Sequence, residues 1–520
     1  MLMPAVGAQF KRALIFVHRW MGVLFCLLFL MWFASGIVMM YWQYPQVSAK
    51  DRLSRGPALD ASRIHILPQQ AYARLEIDSP PIGAQLVTFD GHPAYRFRIG
   101  LGDVSIVYAD SGEAQEDFPP ELTLRIASAW TGQPPSAAKE EDNTKEDQWT
   151  VSEEFAELRP LRKYSWPDGQ QVYVSTMTGD VVQYTTRGSR LAAYFGAIPH
   201  WLYFTPLRRR GQQWSRVVIW SSGLGTIAAM LGITVGLWMY SPSRAYRYGG
   251  APASFPYHGP KRWHAILGLF FGLFAFTWAF SGMLSMDPFP KLQEGADDGP
   301  GPRLAAALRE MPPLEVFTAK PPQLVLAEAE TAFGSAVKQL ELTSGAGEPA
   351  YVAVLGPKDT RVIPVLGRPT YEFNRDRIFA ALERAARPYL LMQVRSVSMY
   401  ESYYLDRSDE LPLPVIFVQL NDPARSAYYI DPKTARILQS YNSNSRWNRW
   451  LYHGLHSFNL PWLYKYRPAW DIAVIFLLLG GASLSITAVI LAWNVLWRKL
   501  APWAVTREGI EPPSPHLEAR

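Results

Sequence analysis

Four long apolar runs, at roughly residues 13–42, 215–240, 264–286 and 470–497, constrain this chain more than any other feature. Each is long enough to cross a hydrocarbon core of about 30 Å as a helix rising 1.5 Å per residue. Apart from Asp471 at the start of the fourth, none contains Asp or Glu. Tryptophan and tyrosine gather at their ends (Tyr41, Trp42, Trp214, Trp220, Trp238, Tyr240, Trp470, Trp493, Trp497), where an interfacial belt is expected. The first run has basic residues before it, yet it exceeds a signal h-region and has a twin at 264–286, so it reads as a retained helix. The fold class is therefore a polytopic α-helical membrane protein. A mean hydropathy of −0.06 conceals this, because polar blocks balance the apolar runs.

The chain repeats itself. "GHPAYRFRI" from Gly91 matches "GEPAYVAVL" from Gly347, and Tyr173 of "VYVSTMTGDVVQY" matches Tyr429 of "YYIDPKTARILQS", both at an offset of 256. His200 with His456 and Trp214 with Trp470 keep that offset, while His18 with His264, Gly22 with Gly268 and Ser35 with Ser281 align at 246. Repeats of this kind describe a tandem duplication of one unit, helix–block–helix. The expected division is helix 13–42, block 43–213, helix 214–240, loop 241–262, helix 263–286, block 287–469, helix 470–497 and tail 498–520. The blocks read as mixed α and β. "AYRFRIGL", "VSIVYAD", "QQVYVSTM" and "SAYYIDP" are predicted strands, and "RDRIFAALERAARPYL" an amphipathic helix. The segment 138–148, "AKEEDNTKEDQ", reads as a charged solvated loop.

Charge sets an expected orientation. Lys11, Arg12, Arg19, Arg244, Arg247, Lys261, Arg262, Arg498 and Lys499 flank the helices on short segments and predict that both termini are cytoplasmic. The formal charge of +6 belongs mainly to these flanks and gives no support to nucleic-acid binding. The single cysteine, Cys26, lies in the first run, which excludes disulfides and CxxC chemistry in the blocks.

A helix opening His-x-x-x-Gly, a strand-rich block ending "YYIDPKT", a "LYHGLH" approach and a returning helix resemble the PepSY-associated transmembrane family. The resemblance covers about nine-tenths of the chain by position. It implies two periplasmic α+β PepSY-like regions, residence in the bacterial inner membrane, and kinship with iron-regulated proteins and ferrisiderophore reductases carrying two b-type haems. The first copy departs from the pattern. It reads "FGAIPHWLYF", with Ala197 where the second copy has His453, and "STMTGD" lacks the Asp-Pro turn.

Of nine histidines, five lie in or beside the apolar runs: His18, His200, His264, His453 and His456. His65, His92, His258 and His516 have no matching partners and receive no role. His18 and His264 each begin an outward helix, and His200 and His456 each precede a returning helix, so like pairs with like across the repeat. Two His–His pairs at opposite faces suit bis-histidine haem, which needs two neutral imidazoles and an apolar slot. Gly22 and Gly268, one turn beyond their histidines, would admit the macrocycle. Arg19, Arg262 and Arg208–Arg210 would meet its propionates. His453 competes with His456 for the second position. The other glycines and serines of the second and fourth runs read as helix-packing surfaces.

The expectation is a metal-ion reductase: electrons enter at His18/His264 from an unidentified cytoplasmic or membrane donor and leave at His200/His456. By the resemblance, the acceptor is a periplasmic ferric siderophore. Trp201, Tyr203, Phe204, Arg208–Arg210, Trp450, Tyr452, Trp462 and Tyr464 would form its approach. The alternatives are a PepSY-type envelope sensor without redox activity and a siderophore or metal permease. The absence of an acid in mid-membrane weighs against proton-coupled transport.

Overall fold

A computed structural model describes residues 3–100, 104–143, 146–289, 299–406 and 410–507. The chain divides into two compact units. One comprises 1–43, 192–288 and 451–520; the other comprises 44–191 and 289–450.

The first unit holds the four membrane-length helices: α1 (Met3–Met39), α2 (Gly211–Met239), α3 (Gly259–Leu284) and α4 (Arg467–Arg507). All four have the length and hydropathy to cross a membrane. α1 packs on α2 and α4, and α3 packs on the same two, which puts α1 and α3 at opposite corners. Small residues make the close contacts. Ser222, Gly225 and Ala228 are buried on α2, and Gly272, Ala275 and Ala279 on α3, at helical spacing. Gly480 and Gly481 of α4 seat the rings of Phe271 and Phe33; a Cβ at either would overlap the ring carbons. These two glycines are packing surfaces, as the sequence suggested. Asp471, the one acid among the apolar runs, pairs with Arg467 one turn earlier.

Segments 192–210 and 451–466 pack with the helices, although the sequence division assigns them to the blocks. They form short helices, Ala197–His200, Thr205–Arg208, Leu455–Ser457 and Pro461–Tyr464, and a π-helical turn, Arg449–Gly454, leads into the second set. A polar block boundary drawn by hydropathy misses such segments, because they are amphipathic and too short to span. Between α2 and α3 a small hairpin pairs Tyr246–Tyr248 with Ala251–Ala253.

The second unit is built on three antiparallel sheets. β1 (Gly83–Phe89), β2 (His92–Arg98), β3 (Val104–Tyr108) and β4 (Ala114–Gln115) come from the first block. A four-stranded sheet follows: β5 (Lys139–Asn143), β6 (Leu161–Ser165), β7 (Gln171–Ser175) and β8 (Val181–Thr185). The hairpin between α2 and α3 supplies β9 and β10. The second block gives β11 (Arg309–Glu310), β12 (Gln339–Gly345), β13 (Glu348–Gly356) and β14 (Asp359–Pro364). Its own four-stranded sheet is β15 (Leu391–Val397), β16 (Val415–Leu420), β17 (Ala427–Asp431) and β18 (Arg436–Tyr441).

The two blocks are not independent. β1 pairs with β12, joining them into one eight-stranded sheet in the order β14-β13-β12-β1-β2-β3-β4, with β11 on β12. Both hairpins at its centre turn through two residues with positive φ, Asp90-Gly91 and Ala346-Gly347, which suits the right-handed twist of paired strands. Tyr95 and Tyr351 are fully buried beneath them, each donating its hydroxyl proton to a backbone carbonyl, Ile66 and Lys320, at 2.8 Å. Such satisfied aromatic burial contributes roughly 1.5–3 kcal/mol per side chain. Tyr173 and Tyr429 correspond in the same way, donating to Asp147 and Glu401 at 2.6 Å.

The charged loop expected at 138–148 is a strand over its first part. β5 pairs with β6, and Glu140–Arg162 and Glu141–Lys163 bridge the two strands. Cross-strand charge pairs stabilise a polar edge strand, and the charges guard that edge against association. The predicted helix forms over Arg375–Ala386, capped by Asn374 and ended before the Arg387-Pro388 bond.

Candidate functional site

The first unit brings the membrane histidines together in two pairs. His18 of α1 and His264 of α3 have ring centroids 6.3 Å apart, with planes inclined at 34°. His200 and His456, from the short helices, are 5.9 Å apart and inclined at 69°. The pairs lie at different levels. Ser35, which contacts His200, stands seventeen residues beyond His18 on α1, and Ser281, which contacts His456, stands seventeen beyond His264 on α3. At 1.5 Å per residue the levels are roughly 25 Å apart.

Every one of the four imidazoles is held through Nδ1. His200 Nδ1 is 3.0 Å from Ser35 Oγ and 3.2 Å from the Trp32 carbonyl. His456 Nδ1 is 3.0 Å from Ser281 Oγ, His264 Nδ1 is 3.1 Å from Thr487 Oγ1, and His18 Nδ1 is 3.3 Å from the Ala228 carbonyl. A carbonyl only accepts. The hydroxyls donate elsewhere: Ser35 to Met31 at 2.6 Å, Ser281 to Trp278 at 3.2 Å, and Thr487 to Leu484 at 2.6 Å, all carbonyls of their own helices. Each hydroxyl has one proton, so its oxygen is left to accept from the imidazole. The carbonyls at His18 and His200 require the proton on Nδ1 and leave the lone pair on Nε2, and the carbonyls of Trp278 and Leu484 favour the same tautomer in His456 and His264. Burial, and for His200 the adjacent His456, keeps His200 and His456 uncharged, with pKa values pushed down to about 3 and about 4.

A neutral imidazole with its other nitrogen anchored is the form that binds a metal. A first-row metal bonded at about 2 Å to one nitrogen of each ring sets the ring centres about 6 Å apart. Both pairs meet that spacing. Between His18 and His264 lies a cavity of 630 Å³, walled by all four helices. That is within the range of about 300–1,000 Å³ for cofactor and ligand pockets. Its lining is mostly apolar and includes Gly22, Gly268, Phe29 and Phe33. A Cβ at Gly22 would meet nothing within 4 Å and one at Gly268 only Leu484 at 3.8 Å, so these glycines widen the slot, as their spacing suggested. Arg19, Lys261, Arg498 and Lys499 also line it, with no carboxylate among the lining residues.

Other glycines back the rings themselves. A Cβ at Gly232 of α2 would lie 2.7 Å from His18 Cε1, at Gly36 3.6 Å from His200 Cε1, and at Gly282 3.5 Å from His456 Cε1. Gly232 is a helix-packing residue, as expected from the sequence, and the side chain it packs against is His18 itself. A Ser-Gly follows each of His18 and His264 by seventeen and eighteen residues (Ser35-Gly36 and Ser281-Gly282), and both residues of each pair contact a histidine of the short helices. α1 and α3 each carry the histidine of one pair and, four to five turns on, the seat for a histidine of the other.

Several expected residues are engaged elsewhere. Arg262 stacks on the Tyr248 ring at 4.2 Å, and Arg208 lies over Trp214 at 4.7 Å and Tyr203 at 5.3 Å. Arg210 reaches Gln213, at 3.4 Å. Sequence reasoning chose arginines by proximity to the histidines and missed Lys261, Arg498 and Lys499, which the fold of α3 and α4 brings to the cavity. Of the approach residues, Tyr452 lies against both His456 (5.6 Å) and His453 (4.6 Å), while Trp201, Phe204 and Trp462 are exposed. Trp450 belongs to the other unit, where its indole donates to Tyr403 at 3.0 Å. His453 is exposed, and it is His456 that faces His200. His92 pairs with Asp110 at 2.7 Å and His258 stacks on Tyr248; His516 lies outside the described residues.

No curated protein matches the chain. The family described as the PepSY-associated TM region matches residues 15–339, from α1 through α3 to the start of β12. That match takes in more than half of the sequence and both histidines of the α1–α3 pair, and with the four membrane-length helices it makes this chain a membrane protein that belongs to the PepSY-associated TM family.

Proposed function

We propose that the protein is a haem b oxidoreductase of the bacterial inner membrane, with two haems per chain. It would pass electrons from a cytoplasmic or membrane donor to ferric siderophores in the periplasm and so release ferrous iron. The observation that carries this reading is the set of four imidazoles, each anchored through Nδ1–H, in two pairs with centroids 6.3 and 5.9 Å apart. Structural histidines in a membrane need one hydrogen-bond partner. They have no reason to bring four anchored rings together as two close pairs.

The residues fit the group. His18 and His264 would hold one haem in the 630 Å³ cavity, and His200 and His456 the other. Haem supplies one-electron chemistry at its iron, tuned by its axial ligands and their surroundings. The chain does the rest. Four helices give mostly apolar walls, and Arg19, Lys261, Arg498 and Lys499 offer cations for two propionates. Near the His200–His456 pair, exposed Trp201, Phe204 and Trp462 offer aromatic faces to an organic chelate. Ferric iron that takes up one electron there becomes ferrous, which hard oxygen chelators hold far less well. We read the two halves as products of duplication. In support, Ser35–His200 recurs as Ser281–His456 and the Tyr95 seat as the Tyr351 seat.

The absorption spectrum of the purified protein tests the reading. Dithionite reduction should give a sharp b-type α band, with two haems per chain by pyridine haemochrome assay, and a ferric hydroxamate should reoxidise the reduced protein. No α band would leave an envelope sensor or a permease. Orientation has its own test: a reporter fused after Ala251 should behave as cytoplasmic, and one after Gly301 as periplasmic. Reversed activities would put the acceptor on the wrong side of the membrane.

A further inference from the structure

Three of the four imidazole seats have the same construction, and the fourth lacks a part. His200 has the Ser35 hydroxyl and the Trp32 carbonyl at Nδ1. His456 has the Ser281 hydroxyl and faces the Trp278 carbonyl. His264 has the Thr487 hydroxyl and faces the Leu484 carbonyl. His18 has the Ala228 carbonyl, at 3.3 Å, and among the described residues no hydroxyl.

The sequence repeat explains the gap. Ala228 and Leu484, whose carbonyls play the same part, are 256 residues apart, the offset that relates α2 to α4. The residue 256 before Thr487 is Leu231. Leu231 stands three residues after Ala228, as Thr487 stands three after Leu484, and residues three apart share one face of a helix. A leucine therefore occupies the place of the hydroxyl that seats the other three rings.

A hydrogen bond from Nδ1–H to an oxygen raises the basicity of the opposite nitrogen and strengthens it as a ligand. A stronger donor favours the oxidised metal and lowers its reduction potential. We infer that Ser35, Ser281 and Thr487 are positioning residues for His200, His456 and His264, and that the missing hydroxyl at Leu231 makes His18 the weakest ligand. The centre held by His18 and His264 then has the higher potential of the two, and the His200–His456 centre is the stronger reductant. This inference rests on the haem reading above. Transfer from the first centre to the second would then run against this difference, drawn forward by the electron donor on one side and the ferric acceptor on the other.

Spectroelectrochemical titration of the full-length haem protein tests it. The wild type should titrate in two components. Thr487→Val, which keeps the shape of the side chain and removes the hydroxyl, should move the higher component further up and leave the lower one in place. Leu231→Thr, which installs the missing group, should move the higher component down. Ser35→Ala and Ser281→Ala should each raise the lower component, and Ser281→Thr should restore it. If Thr487→Val and Leu231→Thr leave both components unmoved, or if the serine variants shift the higher one, the inference is wrong while the haem reading stands. A wild type with no reducible component would instead sink the haem reading, and this inference with it. Should Leu231→Thr fail to assemble, Thr487→Val alone decides, with the unmoved second component reporting an intact fold.

Discussion

The two histidine pairs are alike in spacing and unlike in how they are built. His18 and His264 sit within long helices at opposite corners of the bundle, and both line a pocket that also has cationic residues in its lining. His200 and His456 sit on short helices of three or four residues, and each is tied by a serine to a long helix. Rigid elements supply the first pair directly. At the second, a weak local element borrows its rigidity from a strong one. Single turns of helix are unstable alone, so tertiary contacts must hold such a ligand in place.

Removing ligands should break the comparison most sharply. His18→Ala and His264→Ala should each abolish the same haem, halving the pyridine haemochrome yield and leaving the other component intact. His200→Ala and His456→Ala should remove the other half. If His18→Ala and His264→Ala abolished different components, pairing across α1 and α3 would be wrong.

The glycines behind the rings predict a graded effect. Gly232→Ala pushes a methyl to 2.7 Å from His18 and should cost about 1–3 kcal/mol, seen as lower occupancy of the first centre and a lower melting temperature. Gly282→Ala meets His456 at an ordinary 3.5 Å and should stay within about 0.5 kcal/mol of the wild type. Equal losses in the two variants would mean that the pairs are not backed differently.

Cations give a smaller contrast. Arg19→Gln removes a residue lining the cavity and should weaken haem retention at the first centre by about 1 kcal/mol, measured as haem transfer to apomyoglobin. Arg262→Gln, whose side chain stacks on Tyr248, should leave that transfer unchanged. The smallest expected effect is none. His453→Ala should keep both components at their wild-type potentials, because His453 is exposed and His456 faces His200. Loss of the second component in that variant would exchange the roles of the two residues.

The residues of the candidate site were legible in the sequence because two periodicities coincide. Seventeen residues from histidine to serine recur in α1 and α3, and the offset of 256 recurs from Tyr95 to Trp470. Hydropathy marked the helices since no alternative buries such runs. Alternation marked β2, β3, β7 and β17. What was missed had no one-dimensional signal. The edge strand β5 looks like a solvated charge run until its partner strand supplies opposite charges. Arg262 and Arg208 sit beside histidines in sequence, yet aromatic rings at short range engage them instead.

By itself the sequence determined the four membrane helices, the repeat, and which histidines correspond. Those follow from composition and spacing, which act along the chain. Only the tertiary structure decided that β1 and β12 join two blocks in one sheet, that Gly232 backs His18, and that serines on α1 and α3 seat His200 and His456. Each of these is a contact between residues more than a hundred positions apart. Its energy depends on distance and direction in space, and no local pattern encodes that.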